Sequence, residues 1–299
     1  MRFVVTGGRG FIGSHFVEKA LSLGHKVIDI DKMTYAASKN LPWDNHENYE
    51  HRNEDICDLK HIPPCDYLIN FAAESHVDNS IHESKTFLES NTQGVHNLLE
   101  LLRGKVYERP VFFHISTDEV YGDTVSGTFL ESDRLNPSNP YAASKAAAEM
   151  FVLSHGRTYG IDYVITRSGN NYGERQYTEK LIANCISCMR EGRKIPIHGD
   201  GLYIRDWIYV KDNVDAIFKI IDAGIVNETF NIASHNEMTN LKVVETVISW
   251  FNDDASNLED FIKFVPNRLG QDVRYSICNK KIKNIGWHPA YPNGLKRFI

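Results

Sequence analysis

A hydroxyl, two adjacent acids and a tyrosine–lysine pair follow one another closely in the middle of the chain. They are Thr117, Asp118, Glu119, Tyr141 and Lys145. Because Tyr141 and Lys145 are four residues apart in an alanine-rich segment, they share one face of the helix that this segment predicts. There the ammonium can lower the pKa of the phenol towards neutrality, as a general base requires. The two acids add a proton donor and a second base, which the oxidation of a simple alcohol does not need.

Residues 111–116 predict the element that positions the two acids. The run Val-Phe-Phe-His-Ile-Ser is typical of a buried strand, so Thr117, Asp118 and Glu119 leave its carboxyl end. Open α/β sheets bind their ligands at the carboxyl ends of parallel strands. Taken one at a time, these residues could be solvated acids in a loop and a tyrosine at a helix start. The N-terminal segment of the chain favours their interpretation as active-site residues.

That N-terminal segment predicts a dinucleotide site. Residues 1–6 predict a short strand, Gly7, Gly10 and Gly13 follow it, and residues 14–21 predict an amphipathic helix. Glycines at these positions permit a tight turn and let the backbone approach a pyrophosphate at the helix N-terminus. The strand, the glycine turn and the helix together are far more specific than a glycine pattern alone.

A second strand, predicted over residues 27–31, ends in an acid. Asp31 falls about where a carboxylate binds the ribose hydroxyls of a dinucleotide. It favours NAD over NADP, because it would repel a 2′-phosphate. Arg9 and Lys32 are nearby cations that leave this choice open.

Strand and helix signals alternate through the first two-thirds of the chain. Further strands are predicted over residues 67–73 and 163–167, and a helix over residues 87–102. This alternation predicts an α/β fold, a Rossmann-type doubly wound parallel sheet with helices on both faces. We expect an NAD-binding domain over residues 1–170, with a returning segment near residues 207–232.

The pattern of strands and helices loosens after residue 170. Residues 171–299 predict a smaller C-terminal α/β lobe that binds the substrate and is interleaved with the first domain. Within it, residues 241–251 predict a helix and residues 252–259 a polar loop.

The composition is that of a soluble enzyme and excludes several classes of partner. The 299 residues are 42% hydrophobic and 24% charged, enough for a substantial core. A formal net charge of -6 gives no electrostatic basis for binding nucleic acid or an anionic membrane. No apolar run approaches the length of a membrane span, and the chain begins directly in its first strand, so we expect a cytoplasmic protein.

The five cysteines suggest neither a disulfide framework nor a metal site. An odd number of cysteines suits a reducing compartment. Cys185 and Cys188 have the spacing of half a zinc site, but no second pair or histidine cluster accompanies them in the sequence. We therefore expect no bound metal.

Several longer motifs carry a family resemblance. They comprise residues 6–14, 31–36, 72–78, 116–122, 170–173, 179–182, 205–207 and 268–275. With them the chain resembles an extended short-chain dehydrogenase/reductase, and within that superfamily the nucleoside-diphosphate-glucose 4,6-dehydratases, best known for dTDP-glucose. The likeness runs from residue 1 to about residue 289. The glycine motif and the Tyr–Lys pair mark only the superfamily, whereas the Asp-Glu after Ser-Thr distinguishes the dehydratases from related epimerases and decarboxylases.

The resemblance implies a reaction and a role for each of the five residues. dTDP-glucose or UDP-glucose would be oxidised at C4, lose water across C5 and C6, and take hydride back at C6, with NAD bound throughout. Tyr141, beside Lys145, would remove the proton of the 4-hydroxyl, to which Thr117 would hydrogen-bond. Glu119 would take the C5 proton, and protonated Asp118 would donate to the departing C6 hydroxyl. The product would be the 4-keto-6-deoxy sugar nucleotide.

The resemblance also implies which residues bind the two ligands. Those expected to bind NAD are Gly7, Gly10, Phe11, Ile12, Gly13, Asp31, Lys32, Thr34, Asp55, Ile56, Ala72, Ala73, Ser90, Tyr141, Lys145 and Asn171. Those expected to bind the sugar nucleotide are Ser75, Asn170, Lys180, Leu181, Pro196, His198, Arg205, Asn240 and Arg268. The two arginines suit a diphosphate, because a guanidinium bonds phosphate oxygens in pairs. The sequence Leu269-Gly270-Gln271 departs from the family, which usually has a histidine there.

The resemblance also predicts a dimer. A homodimer is expected through a four-helix bundle of residues 87–102 and 141–159, with Ala146, Ala147, Phe151 and Val152 as contacts.

A sugar-nucleotide 4-epimerase or decarboxylase on the same scaffold is one alternative function, and that of a non-catalytic NAD-binding regulatory protein is another. The sequence leaves open whether the base is thymine or uracil, because a pocket distinguishes one methyl group by only about 1–3 kcal/mol.

Overall fold

The computed structural model of the chain describes residues 1–105, 108–252 and 257–299. The strands are β1 (Arg2–Thr6), β2 (Lys26–Ile30), β3 (Tyr49–Arg52), β4 (Tyr67–Asn70), β5 (Val111–Thr117), β6 (Tyr163–Ser168), β7 (Asn170–Tyr172), β8 (Ile195–His198), β9 (Ile204–Tyr209), β10 (Glu228–Ile232), β11 (Glu237–Thr239) and β12 (Ile262–Val265). The α-helices are α1 (Phe11–Ser22), α2 (Val77–His82), α3 (Ser84–Phe87), α4 (Gly94–Arg103), α5 (Pro140–Tyr159), α6 (Leu181–Glu191), α7 (Val210–Asp222), α8 (Asn240–Ser249) and α9 (Lys280–Asn284). None of the helices in these ranges is long and apolar enough to cross a membrane.

Seven parallel strands form the large sheet, in the order β10-β6-β5-β4-β1-β2-β3. Helices α4 and α5 cover one face, and α1 and α7 cover the other, each pair over its own apolar core. The strand order changes direction between β1 and β4, where the carboxyl ends of the strands open a crevice for ligands. The doubly wound parallel sheet predicted from the sequence is confirmed.

A smaller lobe contains a three-stranded sheet, β11-β9-β7, and a two-stranded sheet, β12-β8. Helices α6 and α8 pack together over its separate apolar core. Cys185 and Cys188 lie in this core and are fully buried. The predicted C-terminal α/β lobe is therefore present, and its two neighbouring thiols serve as apolar packing groups.

The chain passes between the two lobes more than once. After β9, helix α7 packs against α1, and β10 then forms the edge of the large sheet beside β6. Near the C-terminus, Ile282 and Trp287 pack into the same core as α1 and α7. The lobes consequently share a long interface, and the crevice lies along it.

The helix predicted over residues 87–102 is divided by a π-helical segment, Leu88–Gln93, between α3 and α4. The buried Asn91 in this segment donates to the carbonyl oxygen of Glu74 at 2.9 Å and to the hydroxyl of Ser144 at 2.9 Å, and its carbonyl oxygen accepts from the amide of Glu74 at 2.8 Å. π-Helical turns often occur at functional sites. Here the wider turn fastens the loop after β4 to α5, and both line the crevice.

Other predicted elements differ from the observed ones at their ends. The strand predicted over residues 67–73 ends at Asn70, so residues 71–73 lie outside β4, beside the crevice. The predicted helix over residues 241–251 is α8, which ends at Ser249. Of the predicted polar loop, residues 253–256 lie outside the described residues, and Leu258–Asp260 form a short 3₁₀ turn.

Two of the four residues expected at a subunit contact face the protein's own core, so that expectation is wrong for them. Ala146 and Val152 are buried, whereas Phe151 is 38% exposed. Val152 is four residues after Ala148, and the helical period directs both towards the sheet. The outer face of α5 instead carries Phe151 and the neighbouring Met150, which is 47% exposed.

A buried ion pair joins α5 to the sheet. Arg167 on β6 and Glu149 on α5 are 4% and 0% exposed, and the guanidinium approaches the carboxylate at 2.6, 3.0 and 3.1 Å. The guanidinium also lies 4.6 Å from the ring centre of Tyr121. The pair holds the helix that carries Tyr141 and Lys145 in a fixed position on the sheet.

Replacing Arg167 with Leu should lower the free energy of unfolding by about 3–5 kcal/mol, because it leaves the carboxylate of Glu149 buried without its counter-charge. Urea denaturation measures this change. The exposed pair Lys242–Glu245, at 3.1 Å, provides the control, and Lys242→Leu should cost less than about 1 kcal/mol. Equal, small losses in the two variants would contradict the role given to the buried pair.

Candidate active site

The glycine turn between β1 and α1 brings the backbone close to the crevice. Gly7 has a φ of 72°, and a Cβ there would lie 2.6 Å from the amide nitrogen of Ala72. A Cβ on Gly13 would lie 2.2 Å from the carbonyl oxygen of Gly7. Among the described residues, no side chain caps the start of α1, so its first amides are open to an anionic ligand. The turn therefore has the form that a pyrophosphate needs, and larger side chains would close it.

Asp31 follows β2 at the edge of the same crevice, and it is 8% exposed. Its carboxylate accepts from the amides of Met33 at 2.8 Å and Arg9 at 3.0 Å. Burial raises the pKa of this carboxyl, and the bond from Met33 opposes the rise. The two amides fix the orientation of the carboxylate, as recognition of a ribose requires.

The cations near Asp31 have partners of their own. The guanidinium of Arg9 is paired with Asp44 and donates to the carbonyl oxygen of Ser38 at 3.0 Å. The ammonium of Lys32 lies 3.4 Å from Asp55 and donates to Ser90 at 3.1 Å. With both charges already balanced, the carboxylate of Asp31 dominates this end of the crevice.

Two adjoining cavities occupy the crevice, and the first has a volume of about 220 Å³. The predicted cofactor residues that line it are Gly7, Gly10, Phe11, Ile12, Gly13, Asp31, Lys32, Thr34, Asp55, Ile56, Ala72, Ala73, Ser90, Tyr141 and Lys145. Asn171 lines the second cavity instead, and its side chain bonds to Ser168 and Asn213. Its contact with a cofactor stays a prediction.

Tyr141 and Lys145 lie in the first turns of α5, both buried. Asn139 caps this helix by accepting from the amide of Ala142 at 2.9 Å, and Pro140 occupies its first turn. The cap and the proline are standard helix-start signals, and they fix where α5 begins and so where Tyr141 and Lys145 lie.

The expected lowering of the pKa of Tyr141 by Lys145 is wrong for this arrangement. Burial, followed by the negative charge of Glu119, raises the pKa of Tyr141, and the nearby hydroxyl of Thr117 only partly opposes the rise. The ammonium of Lys145 donates to the carbonyl oxygen of Ile115 at 2.7 Å. Burial lowers the pKa of Lys145 to about 8, so this side chain is still largely charged at neutral pH.

Asp118 and Glu119 lie just after β5, but their surroundings differ. Asp118 is 3% exposed, and its Oδ1 accepts from the hydroxyl of Thr117 at 3.2 Å. Its Oδ2 is buried and has no hydrogen-bond partner among the described residues. Burial and the charge of Glu119 raise the pKa of Asp118 well above its usual range. Glu119 is half-buried, and its Oε2 accepts from Asn139 at 3.3 Å. Burial therefore favours the protonated form of Asp118, beside an acid in a more polar setting.

The second cavity has a volume of about 310 Å³ and meets the first at Tyr141. It is lined by Thr117, Asp118 and Glu119. The predicted substrate residues all line it as well, and they are Ser75, Asn170, Lys180, Leu181, Pro196, His198, Arg205, Asn240 and Arg268. The structure thus gathers residues from seven separated segments around the acid pair.

The two arginines expected to bind a diphosphate are held differently. Arg205 is 4% exposed, donates to the carbonyl oxygens of Ile204 and Asp272 at 2.8 and 3.0 Å, and lies 4.1 Å from the ring centre of Tyr275. Arg268 is half-buried and donates to Gln271 at 2.7 Å. Gln271, the departure from the family pattern, thereby orients an arginine at the mouth of the cavity.

Asn139, which bonds to Glu119, and Tyr275, which lines the second cavity, are site residues that the sequence did not reveal. Asn139 has two functions, because it caps α5 and donates to Glu119. An Asn-Pro pair before a helix signals the cap, but the bond to Glu119 depends on how α5 meets β5. Tyr275 lines the second cavity and donates to Asp272. The motif over residues 268–275 contains it, yet only the fold brings it beside Arg205.

Known proteins resemble the whole chain. Residues 4–293 match the family model described as GDP-mannose 4,6 dehydratase. The chain is 40% identical to the low-salt glycan biosynthesis protein Agl12 of Haloferax volcanii, over 100% of this chain and 97% of that protein. It is 38% identical to the dTDP-glucose 4,6-dehydratase of Neisseria meningitidis serogroup B, over 100% of this chain and 92% of that enzyme.

Solved structures give the same result. DesIV, the dTDP-glucose 4,6-dehydratase of Streptomyces venezuelae solved with NAD bound, has a TM-score of 0.91 at 37% identity, covering 97% of this chain and 92% of that one. Solved sugar-nucleotide 4-epimerases share the fold at 29% identity or lower. The likeness is therefore greater to the dehydratase than to these epimerases.

The raised pKa of Asp118 can be detected directly. The infrared spectrum of the wild type at pH 7 should contain the C=O stretch of a protonated carboxyl that Asp118→Asn lacks. Between the usual value of 3.8 and the raised pKa, the folded state binds one more proton than the unfolded state. The free energy of unfolding of the wild type should therefore fall with rising pH relative to Asp118→Asn. Identical spectra and parallel stability profiles would contradict the assignment.

Proposed function

The chain belongs to the GDP-mannose 4,6-dehydratase family, and we propose that it converts a nucleoside-diphosphate-glucose into the 4-keto-6-deoxy sugar nucleotide. The resemblance to the dTDP-glucose 4,6-dehydratases that the sequence predicts is confirmed by the relatives and by the solved structure. The reaction oxidises C4, eliminates water across C5 and C6, and then adds hydride at C6 and a proton at C5, with no net change in the oxidation state of the sugar. dTDP-glucose is the first substrate to test, because the relatives are named for it.

One observation carries this proposal. Asp118 is buried with a raised pKa and an unpartnered Oδ2 on the cavity, directly beside the half-buried Glu119. An elimination of water needs an acid and a base at the same time, and adjacent carboxyls can provide both only if their pKa values differ. A 4-epimerase needs neither of these proton transfers.

The residues of the first cavity fit NAD. The glycine turn leaves no room for a Cβ, the start of α1 carries no cap, and the fixed carboxylate of Asp31 faces the cavity where a ribose would bind. The related dehydratases of known structure contain NAD. Bound NAD supplies the two-electron acceptor that the oxidation at C4 requires. Asp31 excludes a 2′-phosphate by its charge, because Arg9 and Lys32 are already paired.

Tyr141 accepts the proton of the 4-hydroxyl. Burial and the charge of Glu119 raise its pKa, so Tyr141 is a neutral phenol before ligands bind. The phenolate that acts as the base would form once bound NAD adds positive charge to the cavity that the charged Lys145 lines. The hydroxyl of Thr117 acts in the same direction, since it lowers the pKa of Tyr141. Together the three residues remove the proton as C4 becomes a ketone.

The ketone at C4 makes the hydrogen at C5 acidic, and the acid pair then completes the elimination. Glu119 accepts the C5 proton, and its bond from Asn139 orients the carboxylate. Asp118 donates its proton through Oδ2 to the departing C6 hydroxyl. Burial keeps this proton in place until the leaving group takes it.

We propose that the diphosphate lies between Arg205 and Arg268. Arg205 enters from β9 of the smaller lobe, and Arg268 is fixed by Gln271 at the mouth of the cavity. Two guanidiniums in this position balance the charge of a diphosphate and leave the sugar directed towards Tyr141. Residues 1–170, with the returning segment 207–232, would bind NAD, and residues 171–299 would bind most of the sugar nucleotide.

We propose a homodimer formed by the helical segment 84–103 and α5. This surface carries Leu88, Met150 and Phe151, which are 58%, 47% and 38% exposed. Two helices from each subunit would form a four-helix bundle. A monomeric mass in light scattering at micromolar concentration would contradict the dimer.

The five free cysteines fit a cytoplasmic location, where thiols stay reduced.

Incubation with dTDP-glucose and, separately, UDP-glucose tests the function. The product should be lighter than the substrate by one water and should carry a ketone at C4, which mass spectrometry and NMR identify. An unchanged mass with inverted C4 would support the epimerase, and binding without turnover would support a regulatory protein.

Replacing Glu119 and replacing Asp118 should block different steps of the reaction. Glu119→Gln should abolish solvent deuterium exchange at C5, while oxidation at C4 survives in part because Tyr141 and Lys145 remain. Asp118→Asn should keep exchange at C5 and slow the loss of the C6 hydroxyl. Each loss should be about 10²–10⁴-fold in turnover.

Glu245→Gln, on the outer part of α8, is the matched control and should turn over like the wild type. All three variants should bind the sugar nucleotide with unchanged affinity, measured by calorimetry. Near wild-type turnover by Glu119→Gln would overturn the elimination mechanism.

A further inference from the structure

We propose that His96, Glu100 and His155 form a binding site for a divalent transition-metal ion of the zinc class, outside the active site. One ligand atom of each residue lies within 4.8 Å of the others. His155 is ten residues after Lys145 on α5, about 15 Å along the helix axis. The site therefore takes no part in the sugar chemistry.

Two helices bring the three side chains together. His96 and Glu100 are four residues apart on α4, so they project from one face of that helix. His155 comes from α5, which packs against α4 through a buried apolar seam that includes Val95, Leu99 and Val152. Rigid, well-packed elements of this kind hold a ligand set more exactly than loops do.

The contacts of His155 direct one ring nitrogen at a carboxylate oxygen, an arrangement that needs a cation. Its Nδ1 lies 2.9 Å from the carbonyl oxygen of Phe151, which can only accept, so Nδ1 carries the proton. Its Nε2 lies 3.0 Å from Oε1 of Glu100, and a neutral ring would direct a lone pair at a carboxylate oxygen. A second proton on the ring would make this contact an ion pair, and a metal ion bound to both atoms would take the place of that proton. We infer the metal from the third ligand, His96, beside them.

The spacing suits tetrahedral coordination. Zinc binds imidazole nitrogen and carboxylate oxygen at about 2.0–2.2 Å, so two ligand atoms lie about 3.3 Å apart, close to the separation of His155 and Glu100. The ring of His96 lies 5.9 Å from that of His155, centre to centre, and 5.2 Å from that of Phe151. A side-chain rotation of the half-buried His96 supplies the third ligand, and water takes the fourth position.

The surroundings of the ligands match those of known metal sites. A carbonyl that holds the distal nitrogen of a ligating histidine fixes its tautomer, as the oxygen of Phe151 does for His155. Arg103 donates to both oxygens of Glu100, at 3.2 and 3.0 Å, and so orients the carboxylate. Two imidazoles with one carboxylate favour zinc, copper or nickel, whereas calcium and magnesium prefer oxygen ligands.

The consequence of binding would be structural. The ion would hold α4 against α5. Met150 and Phe151 lie on the exposed face of α5. Because the metal binds the folded state, it should raise the midpoint of thermal unfolding.

Calorimetric titration of the chelator-treated protein with zinc chloride tests the proposal. One ion should bind per chain, and His155→Ala and His96→Ala should each weaken binding by at least about tenfold. His61→Ala, which removes an exposed histidine elsewhere, is the matched control and should bind like the wild type. Zinc should raise the unfolding midpoint of the wild type and of His61→Ala but not that of His155→Ala.

The half-buried His96→Ala keeps the test decisive if His155→Ala folds poorly. Cobalt(II) provides a second readout, since tetrahedral coordination gives a visible absorption band. Absence of stoichiometric binding, or equal binding by wild type and both histidine variants, would overturn the proposal. His155 would then carry a second proton and form an ion pair with Glu100.

Discussion

The burial of the Asp118 carboxyl beside a second carboxyl is the constraint on which the site depends. Two adjacent negative charges would repel each other strongly in an environment of low dielectric constant. Protonation of Asp118 removes that repulsion and leaves a donor at the end of β5. The same burial that would be unfavourable for an ordinary aspartate thus provides the acid of an elimination.

This environment requires both lobes. Strand β5 lies between β4 and β6 in the large sheet, so its end cannot move towards solvent. Arg205 and Asp206 approach from β9 of the smaller lobe, and their opposite charges act on the pKa of Asp118 in opposite directions. Asp206 is itself held by the amides of His235 and Asn236, at 3.1 and 2.8 Å. Burial and the charge of Glu119 are the larger causes, and the two charges from the smaller lobe oppose each other.

Local signals in the sequence predict much of this arrangement. The glycine turn, the buried run before Thr117 and the Asn-Pro start of α5 each act within a few residues, so a short segment specifies them. What the sequence could not reveal depends on contacts between distant segments. The bond from Asn139 to Glu119, the raised pKa of Tyr141 and the meeting of His155 with Glu100 all require the packing of one element on another. The inward direction of Ala146 and Val152 was missed for the same reason, because periodicity gives a helix two faces without telling which one the sheet covers.

In the proposed reaction, the hydrogen removed from C4 returns to C6 after water has left. The most direct test is to supply dTDP-glucose that carries deuterium at C4 and to locate the label in the product by NMR and mass spectrometry. The expected product is the 4-keto-6-deoxy sugar nucleotide, lighter by one water, with the deuterium on C6. Deuterium retained at C4 in a product that still has its 6-hydroxyl would contradict it.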